Sequence, residues 1–174
     1  MGAYGDAGAI TTNNKKLYDK ILKLRNLGGV KKHQHDLIGY NSRLDSVQAA
    51  ILLNKLKELN KKNNKRRKIA KYYSKNIFNK KIEKLNISKG CVYHQFVILS
   101  KNEKKIIKVL IKNKIPYGKH YPRPINKLIA LKKIFMKKKF VNAERFSRFG
   151  LSLPIDPNLK IKQLHKICKV LNAI

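Results

Sequence analysis

The chain has 174 residues, 43% of them hydrophobic, which is enough for one domain with a packed core and short for two. Its 42 Lys+Arg stand against 9 Asp+Glu, a formal net charge of +33, and acids so few and scattered argue against a paired-carboxylate catalytic centre. The two cysteines, Cys91 and Cys168, lie far apart with no C-x-x-C, which argues against a disulfide framework or a Cys-rich metal site.

No apolar stretch approaches membrane-spanning length. Met1 is followed by GAYGDAGAI, with no basic start leading into an apolar run, so a reducing cytoplasm is the expected compartment. The charge admits two readings. An excess of this size fits binding to nucleic acid or another anionic surface. Lys, Asn and Ile are also over-used together along the whole chain, core-like positions included ("KNKIPY", "IIKVLIKNK"), as an AT-rich coding sequence would produce without any polyanion.

In chain order, AGAITT (Ala7 to Thr12) predicts a short strand, apolar with β-branched residues at its end. Asn13 or Asn14 caps a helix carrying Leu17, Ile21 and Leu24 in one stripe, and Gly28 and Gly29 end it. A loop runs from Val30 to Asn41. Ser42 is the expected N-cap of the longest helix, with Asp45 adding favourable charge to its first turn. Leu44, Val47, Ile51, Leu52, Leu56 and Leu59 form its apolar stripe, which weakens through NKKNNKRRK and resumes at Ile69, Tyr72 and Tyr73. One helix from about Leu44 to about Ile77, kinked in its Asn-rich part, is expected to link two parts of a fold or to pack on a partner.

The remainder reads as a small α+β unit. Cys91 to Leu99 is a strand, and Glu103 to Asn113 an amphipathic helix. IPYGKHYPRP is extended, because each proline disfavours helix in the residue before it. Asn142 to Phe149 is a short helix, LSLPI is extended, and Lys160 to Leu171 is a closing helix. Cys168 stands at helical spacing from Leu164 and Leu171, as a small buried hydrophobe. KKIFMKKKF, residues 132–140, is the dense basic run.

The residues by themselves assemble no self-sufficient catalytic constellation. His33 and His35 offer two metal ligands but no third at an obvious spacing, so a polar loop is the preferred reading and no metal is expected. His94, between Tyr93 and Gln95, is read as a half-buried strand histidine. His120, between Lys119 and Tyr121 in a proline-stiffened segment, suits a binding loop. Asn41, just ahead of the expected helix start, is placed for an anion, although a turn asparagine after Gly39 and Tyr40 would look the same.

Six segments in this order, GAYGDAGAI, LRNLGG, GYNSRLDSVQAAIL, VYHQFVI, KHYPRP and LSLPIDP, resemble the DegT/DnrJ/EryC1/StrS family over Gly2 to Leu171. These are pyridoxal-phosphate-dependent aminotransferases acting on nucleotide-linked keto sugars. The resemblance implies an α/β fold, the C-terminal portion of a fold-type I aminotransferase. Residues 1–43 would end the large cofactor-binding domain, 44–78 would be the long linking helix, and 79–174 the small α+β domain. The family's Schiff-base lysine precedes the glycine matching Gly2, so it falls ahead of Met1, and no catalytic residue is assigned in this chain.

The resemblance assigns the rest residue by residue. Asn41 matches the asparagine that reaches the pyridoxal 5'-phosphate phosphate of the neighbouring subunit across the dimer. Tyr40, Arg43, His120 and Tyr121 match positions at the substrate pocket, and the resemblance leaves Arg43 open between contacting substrate and holding the corner at Asn41. The family's common second histidine is replaced by Asn126. In a complete member glutamate gives up its amino group and the keto sugar receives it, in a ping-pong reaction. A fragment of such an enzyme, inactive alone, is therefore expected, with a homodimer mate or a partner chain carrying the N-terminal half. No membrane partner is expected. The alternative is a non-enzymatic basic nucleic-acid-binding protein. Against it, aromatics are not interleaved with the basic residues and no nucleic-acid motif appears.

Overall fold

A computed structural model describes residues 2–86, 88–131, 133–135 and 138–174. Met1 and Ile87 lie outside the described residues, as do Lys132, Met136 and Lys137 of the dense basic run. The chain divides into two compact units, one ending at Asn60 and one spanning Lys61–Ile174.

In the first unit, α1 (Lys15–Leu24) starts where a cap is available: Asn14 Oδ1 accepts the Leu17 N–H at 3.1 Å. Its end is tied off by the Gly28 N–H, which donates to Lys23 O at 2.8 Å, with Leu27 (φ 60°) and Gly28 (φ 91°) turning the chain. The strand expected over Ala7 to Thr12 is not formed. A strand is held by its ladder, and these backbone groups pair with no described segment.

Two corrections concern the long helix. Its first part, α2 (Ser46–Lys57), has Asp45, not Ser42, at the N-cap. Arg43 and Leu44 are not helical, so no helix N–H lies within reach of a cap at Ser42, whose own N–H donates to Arg25 O at 2.9 Å. The helix is also not continuous. Glu58 (φ −99°, ψ −3°) closes a three-residue turn onto Lys55 O, and α3 (Leu59–Asn76) follows. The break comes ahead of the Asn-rich stretch where a kink was expected.

Among the described residues up to Asn60, no hydrophobic side chain is buried. Of the stripe on α2, Val47 is 71% and Leu56 52% exposed while Ile51 and Leu52 are half-buried; Leu53 beside it is 63% exposed, and Ile38 in the preceding loop 96%.

The second unit holds the core. Strands β1 (Glu83–Lys84), β2 (Phe96–Leu99) and β3 (Gly150–Leu153) make an antiparallel sheet in that order. Phe96 pairs with Leu153 and Ile98 with Leu151, which fixes the register. β2 is shorter than the strand expected from Cys91, because Tyr93 takes a left-handed φ of 51° and breaks the extended run. His94 consequently lies in an exposed bend, not half-buried in a strand.

Helices cover the sheet with the faces their spacing dictates. α4 (Glu103–Lys112) buries Ile106 and Leu110, and α6 (Ile161–Asn172) buries Leu164, Ile167, Cys168 and Leu171. α3 adds Ile69, Ala70 and Tyr73. Tyr73 packs on Phe96 with ring centroids 5.1 Å apart and donates its hydroxyl to Pro154 O at 2.8 Å. α5 (Val141–Phe149) runs directly into β3. No described helix is long and apolar enough to cross a membrane.

Candidate functional site

The residues singled out from the sequence fall into two groups, one in each unit. In the first unit, Tyr40, Asn41 and Arg43 sit on a backbone corner clamped to the end of α1. Tyr40 N–H donates to Leu24 O at 2.7 Å, Leu27 N–H to Tyr40 O at 3.0 Å, and Asn41 forms a bridge with Asn26. The first of these bonds satisfies Leu24 O, a carbonyl that the C-terminus of α1 leaves free.

The clamp explains the glycines of LRNLGG and IGYN. A Cβ on Gly28 would lie 1.6 Å from Leu37 O, and one on Gly39 would lie 2.1 Å from Gly28 N. Backbone therefore meets backbone with no space for a side chain. Lys23 and Asp36 pair across the same loop, and the hydrogen bond from Lys23, with its charge, holds the Asp36 carboxyl below the usual carboxylate range.

On this corner Arg43 Nε donates to Asn41 Oδ1 at 3.2 Å. The bond orients the Asn41 amide so that Nδ2 is its outward donor, and among the described residues Nδ2 has no acceptor. An amide N–H beside a guanidinium on an exposed, backbone-fixed corner is a donor set suited to a phosphate oxyanion. The helix start expected beside Asn41 lies further on at Ser46, so the anion-binding character rests on side chains and not on free helix N–H groups. His35 is occupied locally, its Nδ1 3.0 Å from Leu27 O. Among the described residues no group of three potential metal ligands gathers.

Sequence reading missed two residues of α2 that hold the GAYG segment. Gln48 Oε1 accepts the Tyr4 N–H at 2.9 Å, and Lys55 lies over the Tyr4 ring at 4.2 Å while bonding Gly2 O at 2.5 Å. Nothing local in the sequence joins positions so far apart.

The second group is His120 and Tyr121, in the second unit. Their segment is bound to β3 through the bridge between Gly118 and Ser152. His120 Nδ1 lies 3.0 Å from Ser152 Oγ, and Ser147 Oγ donates to Tyr121 O at 2.8 Å. The two rings meet edge-on, centroids 5.6 Å apart. They border a cavity of about 420 Å³ whose apolar wall includes Phe135, Phe140 and Phe146. At its polar end Asn126 Nδ2 donates to Glu144 Oε1 at 3.2 Å, and Lys127 Nζ stands 3.5 Å from the same oxygen. Glu144 thus holds Asn126, with Lys127 beside the same carboxylate.

Ser147 and Ser152 were also missed. Strand alternation carries the signal for Ser152, which stands between Leu151 and Leu153 and so faces away from them. The acceptor it meets is set only by the fold.

Residues 1–172 match the DegT/DnrJ/EryC1/StrS aminotransferase family. The dTDP-3-amino-3,6-dideoxy-alpha-D-galactopyranose transaminase of Aneurinibacillus thermoaerophilus is 36% identical over 167 residues, which is 95% of this chain and 46% of that protein. A crystal structure of S. venezuelae DesV in complex with a ketimine intermediate superposes with a TM-score of 0.92 at 29% identity, covering 99% of this chain and 47% of the other. Bacillus subtilis NtdA with bound cofactor PMP gives a TM-score of 0.87 at 26% identity, covering 98% and 42%. The chain spans about half the length of the relatives it matches.

Proposed function

Because the chain belongs to the DegT/DnrJ/EryC1/StrS aminotransferase family and has the fold of the C-terminal portion of such enzymes, we propose that it serves a pyridoxal-phosphate-dependent transamination of a nucleotide-linked keto sugar. In this reading it supplies the phosphate-binding corner and part of the sugar pocket, and the remaining cofactor contacts come from a partner carrying the N-terminal half or from a homodimer mate. The cofactor, when bound, supplies the electron sink that lets an amino group move from glutamate to the sugar. Asn41 and Arg43 hold its phosphate from the neighbouring subunit, and Tyr40, His120 and Tyr121 line the sugar. Taken alone the chain is inactive.

The observation that carries the reading is the Asn41–Arg43 pair, with one amide donor left outward on a corner fixed by glycine contacts. The donor set fits a phosphate, and the open apolar stripe of α2 fits a unit built to be covered by another chain. The test is a chimera in which this chain replaces the matching part of the A. thermoaerophilus transaminase. The chimera is expected to retain cofactor and transfer amino groups from glutamate. Asn41→Ala in it should weaken cofactor retention about tenfold, the cost of one hydrogen bond to a charged group. A folded chimera that neither holds cofactor nor transfers would overturn the proposal.

A second reading rests on an open groove of about 820 Å³ in the second unit, lined by Lys101, Lys104, Lys105, Lys119, Lys127 and Arg148. Two carboxylates share it, Glu103 paired with Lys119 and Glu144 near Lys127, which leaves it strongly positive. Such a surface fits the phosphates of nucleic acid, with steeply salt-dependent affinity. Phe149 is the one aromatic among the described lining residues, so it lacks the stacking platforms of single-strand binders. Binding of RNA that is undiminished by salt would dismiss it.

A further inference from the structure

We propose that Ser152 and Gly118 are positioning residues that seat the His120 imidazole and present its Nε2 as a hydrogen-bond donor to an oxygen-rich ligand. The inference rests on reading His120 as a pocket residue, but the observations concern the seat itself. Ser152 is buried on β3, 7% exposed, opposite Val97. Its backbone exchanges two hydrogen bonds with Gly118, at 2.8 and 3.0 Å. Two residues on, the His120 ring returns over this same pair.

Two contacts fix the ring. Nδ1 lies 3.0 Å from the Ser152 hydroxyl. The ring also lies against Gly118: a Cβ there would stand 2.4 Å from His120 Cε1 and 3.1 Å from Nδ1. Glycine is needed at 118 for space, since any side chain would lift the imidazole off its seat. The following residue is held as well, because Ser147, 6% exposed, donates to the Tyr121 carbonyl.

The direction of the Ser152 bond follows from proton accounting. A buried hydroxyl places its proton on an acceptor. Among the described residues, His120 Nδ1 is the partner of the Ser152 hydroxyl. Nδ1 therefore keeps its lone pair, and the neutral ring carries its proton on Nε2. A donor held in this way suits the hydroxyl and phosphate oxygens of a sugar nucleotide. A serine that merely filled the strand would leave the ring free to turn.

The test uses the 174-residue chain with labelled histidines, read by NMR in solution or, for an oligomeric sample, under magic-angle spinning. His120 is assigned by the loss of its signal in His120→Gln. In the neutral ring the proton is expected on Nε2, with a close contact from His120 Hε1 to Gly118 Hα. Ser152→Ala should weaken that contact several-fold, and Ser152→Thr, which keeps the hydroxyl, should restore it. Gly118→Ala should displace the ring and move its nitrogen shifts while the β2–β3 amide pattern persists. A proton on Nδ1, a contact unchanged in Ser152→Ala, or a ring unmoved by the Gly118→Ala methyl would each overturn the proposal. None of these readouts needs cofactor or partner, so they stand or fall apart from the aminotransferase reading.

Discussion

At the scale of single residues, the buried groups of the second unit are chosen to stay neutral. Burial pushes the Cys168 thiol up from 9.0 to about 11, against a smaller pull from the Lys84 charge. Burial also raises the Tyr73 hydroxyl, whose proton is committed to Pro154 O. A folded-state pKa above the unfolded one means that the contribution to stability is complete below the unfolded value and is lost above it. For Cys168 the window runs from pH 9 to about 11, and a shift of that size corresponds to on the order of 2 to 3 kcal/mol. Cys168→Ala should cost on the order of 1 kcal/mol at pH 7, for lost packing. In thermal melts its deficit relative to the parent should shrink above pH 9 and vanish or reverse by pH 11. A constant deficit across that range would show that the thiol titrates alike in the folded and unfolded chain, so that burial does not raise it.

Elements in this protein are joined by a few polar side chains at their ends. Asn172, in the last turn of α6, serves the C-terminal end of α3. Its Oδ1 accepts the Phe78 N–H at 3.0 Å and the Asn79 N–H at 3.3 Å, and its Nδ2 donates to Asn76 O at 2.8 Å. Asn79 returns the link by donating to Leu171 O. Asn172→Ala leaves several backbone groups without their partner at once. It should lower stability by about 2 kcal/mol in urea unfolding, with the slope unchanged. Asn172→Asp, which keeps the acceptor and loses the donor, should recover part of that loss. A neutral effect of the alanine would mean that water replaces all three bonds.

For the whole molecule, two facts set behaviour: a net charge of +33 and a first unit with no buried hydrophobic side chain among the described residues. Charge repulsion opposes compaction, and salt screens it. The melting temperature should therefore rise between low salt and about 1 M NaCl, where the screening length falls to about 3 Å. The open apolar stripe pulls the other way once repulsion is screened. Light scattering should then find species larger than the 20.2 kDa chain. A monodisperse monomer at high salt would count against a unit built to be covered.

What the sequence by itself determined is the family, the second unit's core helices and the identity of the candidate site residues. Helical spacing in α4 and α6 marks their buried faces, because a stripe at period 3.6 leaves one side to pack. The six segments in order carry the family resemblance, and glycines mark the corner because backbone contact there excludes any side chain. Tertiary structure decided the rest. Ser42 lost its capping role because the helix starts four residues later, at Ser46, beyond a segment clamped to Arg25. The expected strand at Ala7 to Thr12 found no ladder partner, and strand propensity without a neighbour does not make a strand. The long helix broke at Glu58, where no proline or glycine warns of it. Ser152 came to His120 through its bridge to Gly118, and Ser147 came to Tyr121 from α5, both across long stretches of chain. Such contacts leave no local pattern, because they depend on which segments the core brings side by side.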